Sequence, residues 1–212
     1  PEGIEFADPA LELGFELTTL VAVSGMGMLF EAKDVRSSRS VAFKILRPDR
    51  ATEANVARAV EEAKSLSSIH HPNIVRILST GRMKNGESFL VMDFVKGLTA
   101  TQLGKAGRLW IPEALEIASN TCDALHAVHR RNMVHRDVKP ENIIINDQEV
   151  TLVDLGLTRQ AGPSELTASR DLLGTCPYMA PEIIRAAHTH SVGSDLYSLG
   201  VTLYELLSDS YP

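Results

Sequence analysis

The character of the 212-residue chain changes near residues 93–107, and that change limits the folds open to it. Before it, runs at 15–23, 40–46, 74–80 and 88–94 are rich in Val, Ile, Leu and Phe, residues that suit a pleated, half-buried surface. Asn85-Gly86, between the last two runs, is a tight hairpin-turn signal. Residues 52–69 interrupt the strands with Ala, Glu, Lys and Leu at helical spacing, which predicts one helix packed on a small sheet. Past the change, Pro112 stands at the start of a helix whose apolar stripe is Leu115, Ala118, Cys122, Leu125 and Val128. Short strands at 143–145 and 150–153 flank the turn Asn146-Asp147-Gln148, and a further helix is expected over 192–207. The pattern predicts an α+β chain in two lobes. After a leader at 1–14, a small antiparallel-sheet lobe with one helix covers 15–92, a hinge covers 93–97 and a mainly helical lobe covers 98–212.

Composition narrows the chemistry. Lys and Arg number 21 against 27 Asp and Glu, and the net charge of −6 argues against nucleic acid as a partner. Cys122 and Cys176 are too few and too far apart for a disulfide framework or a zinc set, which fits a reducing cytoplasm. The spacings of His70, His71, His126, His129, His188 and His190 match no common metal site. No apolar run approaches a membrane span, and Pro1-Glu2-Gly3 lacks the basic start of a secretory signal.

Between the long helix and the strand pair, His135-Arg136-Asp137-Val138-Lys139-Pro140-Glu141-Asn142 gathers a base, a cation and an amide oxygen on one short turn. Phosphoryl transfer is the first chemistry this suggests. HRDVKPEN resembles the catalytic loop of protein kinases. The resemblance implies that Asp137 accepts the proton of an acceptor hydroxyl, Lys139 sits against the transferring phosphate, and Asn142 binds a divalent cation.

Further segments follow the order the resemblance requires. Val41-Ala42-Phe43-Lys44 resembles the strand carrying the phosphate-contacting lysine, with Glu62 on the next helix as its ion-pair partner. Taken alone, the two residues read first as solvated surface charges. His71-Pro72-Asn73-Ile74-Val75, which resembles the family's link into the next strand, favours the pair. Asp154-Leu155-Gly156, twelve residues after Asn142, resembles the DFG segment with Leu for Phe, and implies Asp154 as a ligand of Mg²⁺ or Mn²⁺.

Gly174-Thr175-Cys176-Pro177-Tyr178-Met179-Ala180-Pro181-Glu182 is similar to the family's substrate-docking loop. There Thr175 reaches toward Asp137 and Lys139, the serine/threonine pattern. Cys176 reads as a structural thiol. Glu182 takes a structural place, paired in the family by an arginine further along the chain. Asp195 resembles the aspartate that ties the catalytic loop's backbone, its other reading being a helix N-cap. Arg136 is the family's gatherer of an activation-loop phosphate, with Ser164, Thr167 and Ser169 as candidate acceptors, Thr167 and Ser169 favoured.

The nucleotide loop departs most from the pattern. Aligned on G-x-G-x-x-G it reads Ala22-Val23-Ser24-Gly25-Met26-Gly27, with only the third glycine kept and Gly25 added. A Cβ forced to positive φ costs about 1–2 kcal/mol, so ATP binding is expected to be weakened and not abolished. Leu29, Phe30, Ala32 and Ala42 fit the apolar surround of the adenine, which the backbone of Met92, Asp93 and Val95 would bind at the hinge.

The resemblance covers residues 15–211 and is strongest to bacterial eukaryotic-like (Hanks-type) serine/threonine protein kinases. It implies a bilobal kinase fold, ATP with Mg²⁺ or Mn²⁺ between the lobes, Ser and Thr hydroxyls of proteins as acceptors, and self-association for trans-autophosphorylation. Two other readings stand beside it, a pseudokinase binding module and a small-molecule phosphotransferase. Tyr211-Pro212 falls where the family continues into further helices, so the sequence is expected to be a C-terminally truncated part of a longer protein.

Overall fold

The computed structural model describes residues 10–24, 27–46, 53–107, 109–147, 149–154, 176–185 and 190–212, in two compact units. The first contains the described residues up to Ser67 together with Ile77–Phe94. It is built from β1 (Phe15–Ser24), β2 (Gly27–Asp34), β3 (Ser40–Leu46), α1 (Glu53–Leu66), β4 (Ile77–Arg82) and β5 (Ser88–Asp93). The strands form one antiparallel sheet in the order β1-β2-β3-β5-β4, and α1 packs on β4 and β5.

The central strand contributes Val41, Phe43 and Ile45 to the core of the sheet unit, beside Phe89 and Val91 of β5. Every residue of β3 after Ser40 is buried, and Phe43 lies between Phe15 and Phe89 at ring separations of 5.5 and 5.3 Å. Aromatic pairs at such separations add to the burial of the rings themselves. The Asn85-Gly86 signal is realised as a turn. Gly86 has φ +88°, Met83 N–H donates to Glu87 O at 2.7 Å, and Asn85 Oδ1 accepts from Glu87 N–H at 3.0 Å.

The second unit comprises Ser68–Arg76 and Val95–Pro212. Its elements are β6 (Leu98–Thr99), α2 (Ala100–Lys105), α3 (Ile111–His129), β7 (Ile143–Asn146), β8 (Glu149–Leu152), α4 (Pro181–Ile184) and α5 (Val192–Ser208). β6, β7 and β8 form a small sheet, and α3 packs against α5 and β8. α2 is fixed by reciprocal capping, Thr99 N–H to Gln102 Oε1 at 2.8 Å and Gln102 N–H to Thr99 Oγ1 at 3.2 Å.

Two sequence expectations are corrected. The strand expected from residue 74 starts at Ile77, because Ile74 belongs to the second unit and bridges Leu152 within it. Val75 N–H donates to Leu152 O at 3.0 Å and Leu152 N–H to Asn73 O at 2.8 Å, so this stretch extends the small sheet of the helical unit. The start of the stripe on α3 is the second correction, since Leu125 and Val128 are buried as expected and Leu115 and Cys122 are not. Leu115 is 51% exposed and Cys122 is exposed, while Ala114, Ile117, Thr121, Ala124, Leu125 and Val128 are buried. Both rows have helical spacing. The buried one contains Ala114 and Ala124, each 0% exposed, whose small side chains let neighbouring elements approach closely.

Among the described residues no helix is long and apolar enough to cross a membrane.

Candidate active site

The segment 135–142 is held from inside by a carboxylate distant in sequence. Asp195 is in the first turn of α5 and is 1% exposed. Its Oδ2 accepts the backbone N–H of His135 at 2.8 Å and its Oδ1 accepts that of Arg136 at 2.8 Å. His129, at the end of α3, brings Nε2 to 2.8 Å from the same Oδ2. The N-cap of α5 is Ser191, whose Oγ accepts from Ser194 N–H at 3.2 Å, so Asp195 ties the loop and does not cap the helix.

The loop needs such a tie because Arg136 has φ +70°. A non-glycine residue in that region costs about 1–2 kcal/mol, and two charge-assisted hydrogen bonds on consecutive amides outweigh it.

His135 is 0% exposed, and its Nδ1 lies 3.3 Å from the N–H of Asp137. Burial pushes the imidazole's pKa down from its ordinary value, and the carboxylates of Asp195, Asp137 and Asp154 oppose that only in part. His135 is therefore a neutral ring whose Nδ1 accepts and whose proton is on Nε2.

Asp137 is 3% exposed. Lys139 Nζ is 3.2 Å from its Oδ2, and Asn142 Nδ2 donates to the same oxygen at 2.9 Å and to the Asp137 carbonyl at 2.8 Å. Those bonds commit the amide nitrogen of Asn142, so its Oδ1 is the atom left to accept, as a hard cation requires. Val153 N–H donates to Asn142 O at 2.8 Å, which brings the backbone before Asp154 to the end of the loop. Asp154 has φ +56°. An amide oxygen and a carboxylate of these residues would together suit Mg²⁺, which keeps coordination positions for phosphate oxygens and water. No cluster of three or more His, Cys, Asp or Glu that could hold a metal occurs among the described residues.

In the sheet unit, Lys44 is 7% exposed on β3, with its Cα opposite Leu29 of β2 and Leu90 of β5. Ala32 and Ala42 are buried, Leu29 is half-buried, and Glu62 is half-buried on α1. Met92 is buried at the end of β5, where Asp93 and Val95 are half-buried. Ala22 and Ser24 belong to β1, opposite Leu29 and Gly27.

The strain expected at those two positions is absent. Neither is among the described residues with positive φ, because both have the extended backbone of a strand. The constraint falls on Gly27 instead. Its φ is +146°, and a Cβ there would stand 1.9 Å from Ile45 O, so only glycine fits. Gly25, Ser164, Thr167, Ser169 and Thr175 lie outside the described residues.

The described part of the docking segment has a partner the sequence did not single out. Tyr178 is 1% exposed, and its hydroxyl donates to Glu205 Oε2 at 2.5 Å. Burial is the main cause that pushes the phenol far above its ordinary range, and burial also raises the Glu205 carboxyl. Ser198 Oγ donates to Tyr178 O at 2.6 Å, and the Tyr211 ring meets the Tyr178 ring edge-on at 5.8 Å. Glu182 is half-buried in the first turn of α4. Tyr178 and Glu205 are 27 residues apart, so no local signal joins them.

Residues 22–212 match the protein kinase domain family. The chain belongs to that family. Among curated relatives of this kinase are a probable serine/threonine-protein kinase, pknA2, of Bifidobacterium longum and the serine/threonine-protein kinase PknB of Mycobacterium leprae. The first is 38% identical over 208 residues, 95% of this chain and 27% of the relative. The second is 34% identical over 211 residues, 96% of this chain and 34% of the relative. The kinase chain thus spans about a third or less of these relatives. The kinase is of the bacterial Hanks type.

The kinase is similar in structure to the PknI kinase domain of Mycobacterium tuberculosis, with a TM-score of 0.76 and 26% identity over 94% of this chain and 74% of that one. It is also similar to Rad53 residues 1–466, solved in complex with AMP-PNP, with a TM-score of 0.75 and 25% identity over 95% of this chain and 50% of that one. The family implies use of ATP and a divalent metal.

Proposed function

We propose that this chain is the catalytic part of a serine/threonine protein kinase that transfers the γ-phosphate of ATP to protein hydroxyls. The observation that carries the reading is the Asp137 carboxylate, buried and held by Lys139 at 3.2 Å and Asn142 at 2.9 Å on a loop tied to Asp195. Asp137 orients the acceptor hydroxyl and takes its proton. Lys139, beside that carboxylate, offers its ammonium to the transferring phosphoryl group, and Lys44 offers its own to the α- and β-phosphates with Glu62 as its orienting partner. Asn142 and Asp154 would hold Mg²⁺ or Mn²⁺, which when bound neutralises charge on the phosphates.

Ala42, Leu29 and the backbone of Met92, Asp93 and Val95 form the adenine surround, and Ala22, Ser24, Gly25 and Gly27 the phosphate-covering turn. The extended backbone of Ala22 and Ser24 favours nucleotide binding without a strain penalty. Arg136 would receive a phosphate on Ser164, Thr167 or Ser169, and Thr175 would complete the contact to the base, while Glu182 supports the docking segment. Trans-autophosphorylation between copies in the cytoplasm accords with this chemistry.

The test is transfer of γ-labelled phosphate from ATP with Mg²⁺ or Mn²⁺ to a generic protein substrate, followed by phosphoamino-acid analysis. Phosphoserine and phosphothreonine are expected, and Asp137→Asn is expected to lower the rate by about 10²–10⁴ while keeping the fold. Nucleotide binding without transfer to any protein, or equal rates in the variant, overturns the reading.

A further inference from the structure

A cleft of about 450 Å³ opens in the helical unit between the segment before Ile74 and the C-terminal end of α3. His70 and His71 line one wall, and Asp123, His126, Arg130 and Arg131 the other. Three of the chain's seven histidines and two guanidiniums therefore surround one space in a protein whose net charge is −6. None of these residues contributes to the phosphoryl-transfer chemistry argued above.

These cations balance no protein carboxylate among the described residues. Among the described residues neither Arg130 nor Arg131 makes an ion pair, although Asp123 lines the same cleft. Basic residues are favourable at a helix C-terminus, and this accounts for His126 and Arg130. It does not account for His70 and His71 on the opposite wall.

Nor do the imidazoles form a metal site. They ring the cleft without converging on one point, and arginine does not ligate metals. The walls are joined, since Arg131 Nη1 donates to Ser68 Oγ at 2.8 Å, which holds the guanidinium in place with its other N–H groups still to be used. His71 Nδ1 accepts from Asn73 N–H at 3.2 Å, so its Nε2–H is the donor it can offer.

We propose that this cleft binds an oligophosphate anion, with Arg130 and Arg131 engaging phosphate oxygens from one side and His71 and His126 donating from around it, while His70 Nδ1–H is held by Ser68 O at 3.2 Å. Guanidinium forks match phosphate geometry bidentately, and donors spread over two walls suit several linked phosphates better than one.

Isothermal titration calorimetry with sodium tripolyphosphate and with orthophosphate tests this. Tripolyphosphate is expected to bind more tightly than orthophosphate and to weaken as salt rises. Arg130→Gln/Arg131→Gln is expected to lower its affinity at least tenfold, and Lys44→Met to leave it unchanged. Because loss of the Arg131 to Ser68 bond could disturb the fold, His126→Ala, at an exposed position on α3, is measured beside it and is expected to weaken binding as well. Absence of binding, equal affinity for the two anions, unchanged affinity in both cleft variants, or loss of binding in Lys44→Met alone overturns the proposal.

Discussion

Asp195 Oδ1 accepts the backbone N–H of Arg136 at 2.8 Å, at a residue whose φ is +70°. The same carboxylate holds His135 N–H and His129 Nε2, each at 2.8 Å, from a site 1% exposed. Removing it leaves buried amides without an acceptor and a left-handed backbone without a tie. Asp195→Ala is expected to cost about 3–5 kcal/mol in urea unfolding and to lower phosphotransfer even where the protein remains folded. Stability within 1 kcal/mol of the parent, with activity retained, would contradict the tie.

His135 sets a pH limit on the fold. Its pKa is pushed below the ordinary 6.5 in the folded protein, mainly by burial. The unfolded chain then binds more protons than the folded one as pH falls below that value. The stability contributed by the neutral ring is fully present above about pH 6.5 and is lost progressively on acidification. In melting curves, His135→Gln is expected to flatten the slope between pH 6.5 and 5 relative to the parent. An unchanged slope counts against a neutral buried ring.

Among the described residues of the nucleotide-loop region, Gly27 is a glycine that cannot be replaced without strain. Gly27→Ala places a Cβ 1.9 Å from Ile45 O at φ +146°, and is expected to cost about 2 kcal/mol or more. Ala22→Gly and Ser24→Gly relieve no strain, so they are expected to leave ATP affinity within about threefold of the parent, under 1 kcal/mol. A large gain in affinity from either substitution, read by calorimetry, would show that the parent residues are strained.

The Tyr178 hydroxyl and Glu205 bind the segment before α4 to α5. Tyr178→Phe removes the donor while keeping the ring against Tyr211, and is expected to cost about 1–3 kcal/mol by urea unfolding. Glu205→Gln keeps an acceptor for the phenol and is expected to cost less. The reverse order would place the stabilisation in the carboxylate's charge.

Local chemistry was legible where it repeats over a few residues. The β-branched runs, Asn85-Gly86 and the spacing within 135–142 led to strands, a turn and a loop that the structure contains, because each depends on neighbours within a few positions. Helical spacing did not say which face of α3 is buried, since Leu115 and Ile117 begin equally periodic rows and only the packed β8 and α5 choose between them. Nor did the glycine pattern reveal that Ala22 and Ser24 keep a strand's backbone, which the pairing with β2 imposes.

The strands of the sheet unit, the two long helices of the second unit and the identity of the groups on the 135–142 turn follow from local sequence, because backbone preference and side-chain chemistry are local properties, whereas β6, α2 and α4 did not stand out in it. The resemblance already implied Asp195 as the tie of that turn, and the tertiary structure decided which other groups share in such contacts. Asp195 and His129 meet across 66 residues, and Tyr178 meets Glu205 across 27. Contacts at such separations follow from packing, where a buried polar group must find a partner that chain order does not specify.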